Sequence, residues 1–171
     1  NKWVLLAGLY FAGDVLLWHY WITLIGPGLA TLIVNMQAIF VAIFAIVLFK
    51  EPFRRGLFVA IGFSLTGLYL LCGPQWMGLD LMSKVAIGGC VVSALCYAGF
   101  ILVMRILRED KQRTVLGDLW WVLLICTLIG GVVMIKTGQS FVIPMLSDWV
   151  ILLMNGVVVG VFVWWVCVCV A

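Results

Sequence analysis

Residues 3–25 read WVLLAGLYFAGDVLLWHYWITLI, an unbroken apolar run with Asp14 near its midpoint and the only histidine of the chain, His19, five residues further on. A helix needs about 20 predominantly apolar residues to cross a bilayer, with roughly 17–25 tolerated. The run is therefore one full span, and it holds an acid near the middle of the hydrocarbon. It is too long, and Asp14 too central, for the short apolar core of a secretory signal.

The rest of the chain has the same character. Of 171 residues, 66% are hydrophobic and 10% are charged, and the mean hydropathy is +1.27. Soluble domains carry about 25% charged residues, so lipid rather than water is the solvent this composition suits. A net charge of +3, with the basic residues scattered between apolar runs, excludes a nucleic-acid partner. The cysteines at 72, 90, 96, 126, 167 and 169 all lie in or beside apolar runs and none forms C-x-x-C. They read as small buried hydrophobes, with no metal and no cofactor expected.

Reading between the charges gives six candidate spans: 3–25, 28–49, 56–72, 85–104, 119–135 and 149–171. Each is expected to be helical, because hydrocarbon offers no partner to a free backbone group. The fold class expected is thus all-α, a polytopic transmembrane bundle. The two-residue link Gly26-Pro27 makes the first two spans antiparallel neighbours, and Pro27 suits the first turn of a helix, where its missing N–H costs nothing. Lys2, Lys50, Arg54, Arg55, Arg105, Arg108, Lys111 and Arg113 flank one face of this arrangement, whereas Lys84 and Lys136 flank the other. The positive-inside rule then makes the loops 50–55 and 105–118 cytoplasmic. No extramembrane segment could hold a domain, so function is expected between the helices.

Ionisable groups inside a span are costly and usually face a cavity or a partner. At 100° per residue Tyr10, Asp14, Trp18 and Trp21 share one stripe of the first span. An acid among aromatic faces can line a substrate cavity; the plainer reading is a protonated Asp14 hydrogen-bonded to another helix. His19 lies about 140° around the helix from Asp14 and roughly 7.5 Å nearer the outer surface. It reads as a hydrogen-bonded interface residue or as a proton relay. In the second span Asn35 and Gln37 point about 200° apart, and Thr31, Asn35, Ala38, Ala42 and Ala45 form a stripe permitting close helix approach. Gly89, Ser93 and Cys96 make a similar stripe on the fourth span, with Tyr97 beside it, and Gly156-x-x-x-Gly160 is a packing motif on the last. Trp3, Trp21, Trp76 and Trp149 read as interface anchors. The site candidates are Asp14, Trp18, His19, Tyr10, Asn35, Gln37, Ser93 and Tyr97; none is assigned a catalytic role.

One segment carries a resemblance. FAGDVLLWHYWITLIGPGLATLIVNMQAIFVAIFAIVLFKEPF (11–53), followed by GLFVAIGFSLTGLYLLCG (56–73), resembles the EamA-type drug/metabolite transporters. The specific parts are Gly13, Asp14, Trp18 and His19, then GPGLAT, then the apolar span ending at Lys50-Glu51, with Gly62 and Gly67 beyond. The chain departs from the family at Ala38, where a proline often follows the polar pair. The resemblance implies ten spans in two five-span repeats of opposite topology, with both termini cytoplasmic. Residues 1–73 would then end the first repeat and residues 84–171 begin the second, as family spans three to eight. The Asn1 start without a methionine fits a piece of a longer chain, whose missing spans would be its partners. Such a piece is expected to insert without transporting alone. The repeat is echoed by Gly13 and Trp18 against Gly160 and Trp165, although Val161 stands where Asp14 would recur.

The activity implied is that of a secondary transporter in the cell (inner or plasma) membrane, exporting a small organic metabolite or drug-like compound by alternating access. Asp14 would contact substrate or couple a proton gradient. An integral-membrane enzyme using Asp14 and His19 as acid and base is the rival from another class, though one histidine and one intramembrane acid make a thin catalytic set. A purely structural membrane subunit would leave both the midplane acid and the aromatic stripe without a role.

Overall fold

The computed structural model describes residues 1–50, 52, 55–72, 78, 80–109, 114–138, 149–151 and 153–154. Among these residues the chain is helical throughout, without strands: α1 Lys2–Ile25, α2 Pro27–Val34, α3 Gln37–Phe49, α4 Arg55–Cys72, α5 Leu81–Arg108 and α6 Val115–Thr137. Four stretches are long and apolar enough to cross a membrane: Lys2–Ile25, Pro27–Phe49, Leu81–Arg108 and Leu116–Thr137. In α4 the apolar stretch is the shorter Phe58–Gly67. The sixth expected span, with its Gly156 and Gly160, lies almost wholly outside the described residues, as does Trp76.

Local chemistry accounts for the helix ends. Gly26 takes φ 79° and ψ 158° between α1 and α2, a conformation open to glycine and closed to side chains with a Cβ. Pro27 follows at the start of α2. Asp80 caps α5, its carboxylate accepting the Ser83 backbone N–H at 3.1 Å, and Arg105 and Arg108 in the last turn complement the dipole at the other end. α5 is therefore longer than the span read from the sequence. The segment taken as the loop 105–118 is helical at both ends, up to Arg108 in α5 and from Val115 in α6.

The second expected span is not continuous. Asn35 and Met36 carry ψ of −12° and −10°, and Met36 N–H donates to Ile33 O at 3.0 Å, Ile39 N–H to Met36 O at 2.9 Å. These i→i+3 bonds tighten one turn into 3₁₀ geometry. The break occurs without a proline, since position 38 is alanine.

Packing within residues 1–130 centres on α5. Small residues Ala86, Cys90, Ala94 and Ala98 recur along it and are fully buried, which lets neighbouring backbones approach closely. α1 makes the most extensive contact with it. Tyr10 lies on Gly99, Gly13 on Cys96 and Trp21 on Gly89, so numbers fall along α5 as they rise along α1 and the two helices are antiparallel. α2 and α3 run parallel to α5: Ala30 and Ile33 pack with Ile87 and Cys90, and Phe49 lies under the Arg105 guanidinium at 4.5 Å. Lys2, Lys50, Arg105 and Arg108 thus fall at one end of these helices, and Lys84 at the other. α4 is exposed on nearly every described side chain. Within residues 131–171, α6 is completed and residues 149–151 and 153–154 are helical.

Candidate functional site

Asp14 is 7% exposed and Ser93 is fully buried. They meet across the α1–α5 seam. The Ser93 hydroxyl lies in hydrogen-bond contact with Asp14 Oδ1 and is 3.1 Å from the Asp14 backbone carbonyl oxygen. A serine hydroxyl has one proton to give, and here two acceptors of one residue compete for it. The seam that carries the pair is built from glycines. A methyl group added to Gly99 would come within 3.1 Å of the Tyr10 ring, and one added to Gly89 would overlap the Trp21 indole.

The other sequence candidates divide into those brought to this seam and those left off it. Tyr10 lies on Gly99 with 37% of its surface exposed. Trp18 packs against the cluster of Ala30, Ile33 and Cys90, beside Trp21. The indole Nε1 atoms of both tryptophans are buried without a hydrogen-bond acceptor. Tyr97 joins an aromatic group with Phe11 and Phe100, at ring separations of 6.4 and 5.6 Å. His19 is exposed, and its Nδ1 donates to Val15 O within its own helix at 2.8 Å. Its ring meets Trp18 edge-on at 4.8 Å. Asn35 is exposed at the 3₁₀ turn. Gln37, two residues on, has its Oε1 buried without a donor.

The stripe Gly89, Ser93 and Cys96 read from the sequence is thus the α1-facing side of α5. Gly99 continues it three residues further and went unread, although it repeats the same spacing. Gly8 was also unread; a Cβ there would lie 2.8 Å from Ile125 of α6. Asp118, taken as a loop residue, is 6% exposed in the first turn of α6. Thr114, four residues earlier, was the helix-start signal. Of the expected anchors, Trp3 and Trp149 are exposed, while Trp21 is packed against α5.

The stripe around Asp14 is covered by α5. An apolar cleft of about 620 Å³ lies elsewhere, lined by Lys2, Val4 and Leu5 of α1 and by Trp121, Leu124, Ile125 and Leu128 of α6. Among the described residues no three of His, Cys, Asp or Glu are grouped to hold a metal ion. The site offers one carboxyl, one serine hydroxyl and aromatic faces. That set can bind, orient and pass a proton. Comparison with known protein families, curated proteins and solved structures gives no match.

Proposed function

We propose that this chain is part of a multi-pass secondary transporter of EamA type that exports a small organic metabolite or drug-like compound by alternating access. The observation that carries the reading is the buried Asp14–Ser93 pair, which joins two apolar helices at the middle of α1. An acid is retained in hydrocarbon at a cost, and transport or proton coupling is its usual role there. Tyr10, on the same stripe and 37% exposed, would offer an aromatic face to a flat or cationic substrate. On this reading the six sequence spans, α4 and 149–171 among them, are family spans three to eight of an inverted repeat. The basic ends of α1, α3 and α5 face the cytoplasm of a cell (inner or plasma) membrane.

The test is counterflow uptake in liposomes holding the whole natural chain. Preloaded unlabelled compound should accelerate entry of the labelled compound for at least one class of small organic solute. Conversion of a solute without exchange would favour an enzyme instead. The orientation is checked by a cysteine placed at the loop, Phe53→Cys, in an otherwise Cys-free background. It should resist impermeant maleimide added outside intact cells, and labelling from outside would reverse the topology.

A further inference from the structure

The cleft between α1 and α6 shares no lining residue with the Asp14–Ser93 seam, and its chemistry is that of a lipid. We infer that it holds an acyl chain of an acidic phospholipid, with the lipid phosphate at the Lys2 ammonium. The inference rests on the membrane character of the helices and not on transport, so either reading can fail alone.

The shape comes first. α6 reaches α1 at Gly8, where a Cβ would lie 2.8 Å from Ile125. Every α1 residue lining the cleft precedes that contact, so the space opens on the Lys2 side of it. On α6 the lining runs from Trp121 to Leu128, roughly 10 Å of helix axis at 1.5 Å per residue. The cleft is thus drawn out along the helices, and its volume of about 620 Å³ falls in the range of small-molecule pockets. Leu5, Trp121 and Leu128 along it are all exposed. An extended hydrocarbon chain fits such a furrow.

The polar groups decide which lipid. Asn1 and Lys2 line the cleft side by side at the start of α1, and the rest of the lining is apolar, so the cleft has one polar end as a lipid does. Asn1 Oδ1 is engaged by the Trp3 N–H at 3.3 Å. Lys2 is exposed, and its Nζ stands 5.8 Å from the centre of the Trp3 ring. Tryptophan favours the headgroup level of a bilayer, which sets the ammonium at the height of the phosphates. Among the described residues no acid lines the cleft, and Asp118, in the first turn of α6, is 6% exposed. Lys50, Arg105 and Arg108 lie at the same end of the bundle. A basic pocket between apolar helices selects an acidic headgroup over a zwitterionic one.

The test uses the whole natural chain in phosphatidylcholine vesicles with a rising fraction of brominated-chain lipid, either phosphatidylglycerol or phosphatidylcholine. Bromine quenches an indole that it touches, and the difference between wild type and Trp121→Phe isolates Trp121. Half-quenching of Trp121 should need about fivefold less of the acidic lipid, the factor that one basic residue supplies near an acidic surface. Lys2→Gln should bring the two lipids to parity. Arg108→Gln, at the same end but outside the cleft, should keep most of the preference. Equal half-quenching by the two lipids in the wild type would overturn the inference. A preference that survives Lys2→Gln, or that falls as far in Arg108→Gln, would overturn it too and assign the effect to the diffuse charge of that face. Absence of quenching by either lipid would overturn it in favour of another span of the chain covering the cleft.

Discussion

α5 and α4 are both apolar helices, yet among the described residues one is the most buried element and the other almost wholly exposed. α5 presents Ala86, Cys90, Ser93, Ala94 and Ala98 in register, all fully buried. α4 presents large side chains, with Phe63 76% and Tyr69 70% exposed, and its glycines Gly62 and Gly67 have nothing within 4 Å of a would-be Cβ. Apolarity places a helix in lipid. It does not choose the partner, because lipid tails are as apolar as leucine. Small and polar residues make that choice, through close backbone approach and an interhelical hydrogen bond.

The largest effect expected from this contrast is at Gly89. Gly89→Ala would drive a methyl into the rigid Trp21 indole, whereas the adjacent Gly88→Ala meets open space. Overpacking of this kind costs about 1–3 kcal/mol. Thermal unfolding in detergent should show Gly89→Ala clearly destabilised and Gly88→Ala unchanged or slightly improved. Equal melting temperatures would mean that the α1–α5 seam is not closely packed. On α4 the sign should reverse. Gly62→Ala and Gly67→Ala remove helix-weakening glycines from open surface, a gain of up to about 1 kcal/mol. Marked destabilisation of either would show that α4 has a close helical partner in the membrane.

The smallest effect lies outside the membrane, at the start of α5. Bonds from the Ser83 hydroxyl and then the Ser83 backbone N–H hold the Asp80 carboxyl below the usual carboxylate range. A carboxyl lowered on folding stabilises the folded helix end above its unfolded pKa of about 3.9, and that contribution fades as pH falls through the lower folded value. Amide exchange in the first turn of α5 should therefore lose protection only in acid. Asp80→Asn should remove that pH dependence while keeping an acceptor at the cap. Acid-dependent fraying that persists in Asp80→Asn would assign it to another group.

How much of this was legible beforehand varies by level. The run 3–25 is α1 to within a residue at its start, because length and apolarity in lipid leave only a helix. The stripe Gly89, Ser93 and Cys96 was legible as a face, since its spacing is set by the helix itself. That α1 covers it was not, because spacing names a face and not its neighbour. The break at Asn35–Met36 was hidden for a related reason. No proline or glycine marks it, and two backbone angles within the broad helical range distinguish it from a continuous helix. Asp14 was read as an acid with a partner or a cavity. Ser93 was on the same list of candidates, but only the α1–α5 register pairs the two.

The central claim is that Asp14 couples a proton gradient to export, and the direct measurement is pH-gradient-driven flux in liposomes at matched protein content. Asp14→Asn keeps the shape and an acceptor for Ser93 but cannot titrate. In the whole chain it should insert normally and lose gradient-driven flux, while His19→Gln, off the seam and bonded only within its own helix, should retain most of it. Wild-type flux in Asp14→Asn would contradict the claim and leave the aspartate as a packing or binding group.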